Sequence, residues 1–453
     1  MKRATLIVSL VLIGLVALAW VLLRPALEVA VGYTAKQTCS GLLVSGLPAD
    51  FIWERDVAPR MAILGPLRDR LRGGITPQRT GVSSTFLGVT ARASYAPGRG
   101  CSLHKSRGEA ATPRAAARRP SAPVVAPRAL EAALDQAFAE PAGGGRNTLA
   151  VLVSRRGSLI AERYLPPVSP DMPLQGWSMN KSLMATWVGM QVARGQLTLD
   201  QPVRAALARA PGGDALAPAV DPGLNLGHLL HMESGLDFEE TYLPGGDATR
   251  MLYRSEAMWA AAPATGQAVG PGERFSYSSG DTNLAALVWQ QSLGDTPYTT
   301  WLRREFAGPL GLHSLVAEAD ASGVQVGSSY AFMTARDWLG VGQLWLDAWH
   351  GRSPVLGRDW QRAAVRPRSA AADGAYGRGF WLNTAGVAFP ALPDTLFFAS
   401  GNSGQAVVVL PEQETVVVRL GLTADGVDSG LAELLAAVAN ALATDNEGVL
   451  QHD

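Results

Sequence analysis

The longest apolar run in the chain lies at its N-terminus and predicts a transmembrane helix. Residues 4–23 carry no charge and are mostly apolar, and the run ends at Arg24 and Pro25. Twenty residues at helical rise span about 30 Å, the thickness of the hydrocarbon core of a bilayer. Lys2 and Arg3 precede the run, which favours an N-terminus on the cytoplasmic side.

A cleaved signal peptide is the alternative interpretation of this run. The run is long for the apolar region of a signal peptide and lacks a clear A-x-A cleavage site at its end, which favours an uncleaved anchor. In both cases the rest of the chain is exported. We therefore expect a single-pass protein of the bacterial inner membrane with its main domain in the periplasm, or a secreted protein if the segment is cleaved.

Further along, short β-type runs lie near both ends of one long region and predict its fold. Residues 148–154 and 158–164 form a predicted hairpin, and residues 405–410 and 415–420 form a second pair of strands. A helical pattern follows at 431–442, and helical pattern and loop fill the region between the two pairs. This order predicts an α/β (α+β) domain, with an antiparallel sheet built from both ends of the domain, flanking helices and an inserted, mostly helical subdomain.

The composition along the chain divides it into four segments. Residues 1–27 are the anchor or signal segment, and residues 28–104 form a small N-terminal segment. Residues 105–128 are rich in Pro, Arg and Ala and poor in large apolar residues, which is typical of a solvated linker, although its positive charge could also contact anionic lipid. Residues 129–445 form the main domain, and the chain shows no internal repeat.

Charge and cysteine usage narrow the function classes. The formal net charge is zero, so no overall field attracts nucleic acid. Both cysteines, Cys39 and Cys101, lie in the first quarter of the chain, and in an oxidising compartment they are expected to form one disulfide. Two buried free thiols are the alternative. Neither cysteine has a nearby histidine or a helix-start context, which argues against a catalytic cysteine.

Lysine usage points to one candidate site. The chain has four lysines, Lys2, Lys36, Lys105 and Lys181, against 35 arginines. Where a positive charge alone suffices the chain uses arginine, so a remaining lysine is a candidate for proton transfer, which arginine cannot perform. Lys2 fits a targeting role and Lys36 and Lys105 have no evident one, so this argument applies to Lys181.

Lys181 belongs to an S-x-x-K motif at the start of a predicted helix. Ser178 stands three residues before it, and a helical pattern follows at 182–193. Positions i and i+3 share a helix face, so the Ser178 hydroxyl and the Lys181 amine are expected to lie close together. Serine becomes a nucleophile when a neighbour takes its proton, and a lysine among apolar groups can do so.

Two further motifs follow in order, and together the three resemble a known family. They are Trp177-Ser178-Met179-Asn180-Lys181-Ser182, then Phe275-Ser276-Tyr277-Ser278-Ser279-Gly280-Asp281-Thr282-Asn283, then Gly401-Asn402-Ser403-Gly404-Gln405. Over roughly residues 130–443 the chain resembles serine β-lactamases of the class C type, penicillin-binding proteins and related esterases, and it looks nearest to the 6-aminohexanoate-dimer hydrolase-like branch. Stretches at 228–236, 334–338 and 376–381 also resemble this family.

The resemblance implies a role for each matching residue. Ser178 would attack a carbonyl and become acylated, with Lys181 as its base, and Tyr277 would carry the proton to the leaving group. Ser279 would bond the substrate or Lys181. Backbone N–H groups of Ser178 and Gln405 would form the oxyanion hole.

Other positions are candidates for substrate binding. Asn402, Ser403 and Gly404 occupy the third motif, where the family has Lys or His at the Asn402 position. Asn402 therefore leaves this position without the positive charge of the family, and Ser279 stands in place of the Asn of class C lactamases. Both differences argue against efficient β-lactam hydrolysis and favour a less charged amide or ester. The pocket walls are expected to include Tyr242, Asp247 and Trp381.

Structural explanations remain open for several of these residues. Tyr277 could be an ordinary strand or loop tyrosine, and the third motif could be a tight turn that leads into a strand. His228 and His231 flank a leucine pair and are expected to be structural. The sequence contains neither a metal-ligand set nor a G-x-S-x-G motif, so no cofactor or metal is expected.

The predicted function is hydrolysis of a small amide or ester through an acyl-serine. Two alternatives remain: a D-alanyl-type peptidoglycan peptidase, and a catalytically silent protein that recognises a cell-wall peptide or a partner. Retention of Ser178, Lys181 and Tyr277 together argues against the silent protein. The expected partners are a small-molecule substrate and the membrane, through the N-terminal helix, and the sequence does not determine the oligomeric state.

Overall fold

A computed structural model describes residues 2–78, 80–104, 124, 126–368 and 374–450. Within them the strands are β1 Ile75–Gln78, β2 Gly81–Phe86, β3 Val89–Ala96, β4 Gly100–His104, β5 Thr148–Arg155, β6 Ser158–Tyr164, β7 Leu174–Gln175, β8 Val316–Ala317, β9 Ala331–Met333, β10 Trp381–Leu382, β11 Phe397–Gly401, β12 Gln405–Leu410 and β13 Thr415–Gly421. The α-helices are α1 Lys2–Ser40, α2 Ala49–Ile52, α3 Ala58–Arg60, α4 Arg68–Gly73, α5 Arg128–Phe138, α6 Met179–Ala193, α7 Val203–Arg209, α8 Leu226–Leu230, α9 Asp247–Arg254, α10 Ser279–Gln291, α11 Tyr298–Trp301, α12 Gly308–Leu310, α13 Ala335–His350, α14 Arg358–Ala364 and α15 Leu431–Leu450.

The main sheet joins the two ends of the domain, as the sequence predicts. Its strand order is β10-β11-β12-β13-β5-β6, and every neighbouring pair is antiparallel. At the junction between the two ends, Val417 of β13 pairs with Val153 of β5. The predicted fold is therefore confirmed, and the predicted strands agree with β5, β6, β12 and β13 to within one residue at each end.

The central strands are buried on both faces because consecutive side chains enter different cores. Leu152 and Val418 belong to the larger core, on the side of the sheet that α6 and α13 cover. Val153 and Val417, their neighbours in sequence, belong to a second core with α5 and α15. Helix α6, which follows Ser178, thus lies on one face of the sheet and contacts the inserted helix α10.

Helix α1 does not end with the apolar run but continues through Pro25 to Ser40. A proline inside a helix costs about 3 kcal/mol, so packing must support this continuation. The first part of the helix is exposed, whereas Val31, Ala35 and Cys39 are buried. Among the described residues this is the one helix long and apolar enough to cross a bilayer, a test that a signal sequence passes as well.

The N-terminal segment forms a small sheet that packs on α1. Strands β1 to β4 lie in sequence order, each antiparallel to the next, and they are not among the predicted elements. Cys39 of α1 and Cys101 of β4 form the expected disulfide. The pair lies in a small core of its own with Ala35 and Val82.

The N-terminal segment is docked on the main domain by buried polar contacts. Lys36 and Glu318 form an ion pair with side chains 1% and 0% exposed. Glu318 also accepts hydrogen bonds from the Ser40 hydroxyl (2.9 Å) and the Cys101 backbone N–H (2.6 Å). The ion pair with Glu318 gives a structural role to Lys36, for which the sequence suggests none. Lys105 and almost all of the predicted linker at 105–128 lie outside the described residues.

Candidate active site

The start of α6 positions the candidate nucleophile. Ser178 is the N-cap residue and Met179 the first helical residue, so the hydroxyl lies at the positive end of the helix. Trp177, directly before it, has φ +49° although its side chain is large and buried. A bulky residue in the left-handed region is strained, and such strain is concentrated at functional sites. The turn presents Ser178, which is partly exposed, at the surface of the buried helix.

Lys181 lies directly beneath this serine. Its Nζ atom is 2.9 Å from the Ser178 Oγ atom, as the i, i+3 spacing predicts. The same nitrogen is 2.9 Å from the Ser279 Oγ atom and 3.4 Å from the Ser328 carbonyl oxygen. The lysine side chain is almost fully buried, with 1% of the residue exposed. Helix α6, the start of α10 and the segment before β9 therefore meet at one amine.

Tyr277 lies on the other side of the amine. Lys181 Nζ is 4.7 Å from the centre of the tyrosine ring. The ring packs against Trp381, with centroids 5.2 Å apart, and against Tyr376, with centroids 5.8 Å apart. Trp381, a predicted pocket wall, is thus in contact with the candidate proton carrier. Gly379 lets the chain before Trp381 approach α6, because a Cβ atom at this position would lie 2.8 Å from the Lys181 carbonyl oxygen.

Glu240 completes the polar network and is not among the predicted residues. One of its carboxylate oxygens accepts a hydrogen bond from the Ser279 hydroxyl (2.5 Å), and the other accepts from the Ser279 backbone N–H (2.7 Å). The Tyr242 hydroxyl also donates to Glu240 (2.8 Å). Since the Ser279 proton points to Glu240, the Ser279 oxygen is free to accept from Lys181. Only long-range packing reveals this carboxylate, because no motif contains it.

The third motif lies against the backbone that precedes the nucleophile. Gly401, at the end of β11, has no room for a side chain, because a Cβ atom there would lie 2.2 Å from the Gly176 carbonyl oxygen. The turn that follows contains Ser403, with φ +61°. Gln405 then begins β12, and its side-chain amide donates to the Gly421 carbonyl oxygen (2.5 Å) and accepts from the Gly421 N–H (3.0 Å). First and third motifs are therefore neighbours in space.

A cation from the N-terminal segment reaches the third motif. Arg60 of α3 donates from Nη2 to Asn402 Oδ1 (3.0 Å) and to Ser403 Oγ (2.7 Å). Its guanidinium carbon is 6.0 Å from the ring centre of Trp177. Sequence reasoning missed Arg60, because 342 positions separate it from Asn402.

Three further titratable residues lie near these elements. Burial raises the pKa of Asp281, in the first turn of α10, to about 7, although the Ser234 hydroxyl donates to its carboxylate. Burial and nearby arginines lower the pKa of His231 to about 4. Asn225 caps α8: its side chain accepts from the His228 backbone N–H, and the His228 ring nitrogen Nδ1 accepts from the Asn225 N–H (3.4 Å). The sequence predicts a structural role for both histidines, which flank a leucine pair, and that role stays a prediction.

Two predicted wall residues lie near the network but have other contacts as well. Tyr242 is 41% exposed and is bonded to Glu240. Asp247 begins α9, where it accepts from the Glu239 N–H (3.0 Å) and pairs with Arg250. Within the described part of the chain, no group of three or more His, Cys, Asp or Glu side chains is placed to hold a metal ion.

Comparison with known proteins connects this geometry to a family. A family model described as Beta-lactamase matches residues 132–440. The 6-aminohexanoate-dimer hydrolase of Paenarthrobacter ureafaciens is 25% identical over 305 residues, which are 60% of this chain and 72% of that protein.

Solved structures show the same fold at low sequence identity. A penicillin-binding-protein homologue from Caulobacter crescentus superposes with a TM-score of 0.54 at 16% identity, over 70% of this chain and 98% of that one. A penicillin-binding protein from Bacillus halodurans superposes with a TM-score of 0.51 at 17% identity, over 69% and 99% of the two chains. At these identities the likeness concerns the fold.

Proposed function

The chain belongs to the beta-lactamase family, and from that premise we propose that it is a serine hydrolase of a small amide or ester. The resemblance predicted from the three motifs is confirmed at the level of the family. Within the family, the activity of this chain and the role of each residue are our proposal.

The observation that carries the proposal is the position of Lys181 Nζ, 2.9 Å from both Ser178 Oγ and Ser279 Oγ. A buried amine within hydrogen-bonding distance of a partly exposed hydroxyl is the arrangement that activates serine. As an ammonium, Nζ has three donors for its three acceptors, Ser178, Ser279 and the Ser328 carbonyl. As a neutral amine it donates to Ser279 and Ser328 and accepts the Ser178 proton. The same geometry therefore accommodates both protonation states.

The reaction then proceeds through an acyl-serine. Ser178 Oγ bonds to the substrate carbonyl carbon while its proton moves to Lys181 Nζ. The N–H groups of Ser178 and Gln405 stabilise the oxyanion, and each such donor contributes about 3–4 kcal/mol in comparable sites. Tyr277 passes a proton to the amine or alcohol that leaves, and the C–N or C–O bond breaks. Water then attacks the acyl-serine and gives one proton to the Tyr277 phenolate. The ester bond to Ser178 breaks, the acid leaves, and the Ser178 oxygen regains its proton from the lysine.

We further propose that the N-terminal helix anchors the hydrolase to the bacterial inner membrane. Its exposed first part is long and apolar enough to cross a bilayer, and the disulfide fits an oxidising compartment. The catalytic domain would then face the periplasm. Protease accessibility in spheroplasts tests this placement, since a cytoplasmic domain would stay protected.

Intact-mass analysis tests the chemistry. The detergent-solubilised protein is exposed to a fluorophosphonate, a p-nitrophenyl ester and a penicillin, beside the variants Ser178→Ala and Lys181→Arg. The first variant removes the nucleophile, and the second keeps the charge but removes a group that can accept a proton at neutral pH. Ser158→Ala, at an exposed position on β6, is the matched control.

We expect the wild type and Ser158→Ala to gain the mass of one reagent molecule per chain, and Ser178→Ala to gain none. Lys181→Arg should acylate more slowly by a factor of about 100 or more. Acylation by the penicillin without turnover would favour the peptidoglycan peptidase alternative, and rapid turnover of the penicillin would contradict the expectation that β-lactams are poor substrates. Folded wild type without an adduct from any reagent would contradict the enzyme proposal and favour the silent recognition protein.

A further inference from the structure

Arg60 brings a positive charge to the third motif. Its Nη2 atom donates to two side chains of the motif, at Asn402 Oδ1 and Ser403 Oγ. The guanidinium also lies 6.0 Å from the ring centre of Trp177, the residue directly before the nucleophile. Since a guanidinium stays charged throughout the physiological pH range, a cation stands beside the region where the substrate must lie to reach Ser178.

The contacts of this guanidinium leave room for another anion. Its Nε atom is 3.7 Å from Asp56 Oδ1, and Asp56 is also bonded by the Tyr33 hydroxyl. Its Nη1 atom contacts Asp425 at 3.4 Å, but the Asp425 side chain is 75% exposed. A long ion pair with an exposed partner is weak. A carboxylate that arrives from the solvent can therefore replace Asp425 at Nη1.

We propose that Arg60 is the group that binds a carboxylate on the substrate, so that the site prefers anionic amides or esters. The inference rests on the proposed hydrolase function and deepens it. It replaces the expectation, drawn from Asn402, that the third motif lacks a positive charge and that the substrate is less charged. Arginine suits this task because one guanidinium can hold the turn through Nη2, bonded to Asn402 and Ser403, and still offer a charged donor, Nη1, to a carboxylate.

The competing explanation is structural. Arg60 joins α3 to the turn at Asn402 and Ser403, and this contact alone could hold the turn in place. The two explanations differ in one measurable property. An arginine that binds the substrate carboxylate affects anionic and neutral substrates differently, whereas an arginine that holds the turn affects both substrates equally.

The test uses two substrates with the same acyl chain and leaving group, of which one has a free carboxylate and the other has that carboxylate capped: mono-p-nitrophenyl adipate and its methyl ester. Hydrolysis by the full-length protein in detergent is measured as kcat/KM for each, for wild type, Arg60→Gln, Arg60→Lys and the control Arg72→Gln. Arg72 lies in the same segment and pairs with the exposed Asp50. Wild type should prefer the anionic ester, and Arg60→Gln should lower the ratio of the two kcat/KM values about 10- to 100-fold.

The variants at the two arginines define the remaining outcomes. Arg60→Lys should keep part of the preference, because the positive charge remains but a single ammonium cannot replace both Nη1 and Nη2. Arg72→Gln should keep all of it. An equal fall of both kcat/KM values in Arg60→Gln, or an unchanged ratio, would overturn the proposal and assign Arg60 to holding the turn.

A second measurement separates this inference from the hydrolase proposal. Monomethyl adipate should raise the unfolding temperature of Ser178→Ala, which cannot turn over, and should not do so when Arg60→Gln is added. If the wild type hydrolyses neither ester but this protection depends on Arg60, the carboxylate site stands and the hydrolase proposal fails. If monomethyl adipate does not raise the unfolding temperature, or raises it equally without Arg60, the proposed carboxylate site is overturned.

Discussion

Replacement of Glu318 by glutamine removes the negative charge from the most deeply buried ion pair among the described residues. Lys36, its partner on α1, is 1% exposed, and Glu318 is fully buried. The glutamine keeps the shape and can still accept from the Cys101 N–H and the Ser40 hydroxyl, which donate to Glu318 in the wild type. The change therefore isolates one effect, a buried ammonium left without its anion.

The expected loss of stability is the cost of leaving the Lys36 ammonium buried without its anion. Removal of one partner of a buried pair costs about 3–5 kcal/mol, because the other charge remains desolvated. A loss of about 4 kcal/mol lowers the folding equilibrium constant roughly a thousandfold. Lys36→Met combined with Glu318→Gln removes both charges, so the double variant should be more stable than Glu318→Gln alone, with a coupling of about 2 kcal/mol or more.

Urea unfolding of the full chain in detergent, followed by tryptophan fluorescence, measures these differences. Limited proteolysis reports in parallel whether cleavage within residues 28–104 precedes cleavage of the main domain. Arg72→Gln breaks an exposed pair with Asp50 and should cost no more than about 1 kcal/mol. A loss below about 1 kcal/mol for Glu318→Gln, or additive effects in the double variant, would refute the reasoning.

Three further predictions follow from individual contacts. Glu240→Gln should slow acylation about tenfold, measured as the rate of fluorophosphonate labelling, because Ser279 loses the carboxylate that orients its hydroxyl. Native Asp281, with a pKa near 7, keeps its proton where the unfolded chain (3.8) has lost it, so its contribution to stability falls between about pH 4 and 7. Asp281→Asn should abolish the part of this fall that lies above pH 5, up to about 3 kcal/mol, in urea unfolding at pH 5 and 8. Reduction of Cys39–Cys101, which closes a loop of 62 residues, should cost about 4 kcal/mol, and an unchanged melting temperature in reductant would contradict this.

Local patterns were sufficient for four of the six strands of the main sheet and for the contact between Ser178 and Lys181. The runs that became β5, β12 and β13 are rich in valine, and β-branched residues favour strands wherever the sheet lies. The contact between Ser178 and Lys181 follows from helix geometry, because residues three apart share a face. Such features depend on neighbours in the sequence and could be predicted from it.

The extent of α1 and the small N-terminal sheet could not be predicted in this way. Pro25 and the end of the apolar run suggest a helix end, yet the helix continues because residues such as Val31 and Cys39 are buried against the rest of the protein. Strands β1 to β4 are short and gain stability from packing on α1. Tertiary packing overrides weak local preferences in such elements.

The sequence by itself determined the family motifs, the two pairs of strands that build the sheet from both ends of the domain, and the proximity of Ser178 to Lys181. Tertiary structure alone decided which charged side chains meet partners that are distant in sequence. These contacts are Glu240 with Ser279, Arg60 with Asn402 and Lys36 with Glu318. Partners tens to hundreds of positions apart follow no helical or strand period, so no local pattern encodes them. They meet because burial of the apolar faces of α1 and the inserted helices fixes where these side chains lie, and a charge held there must find a partner.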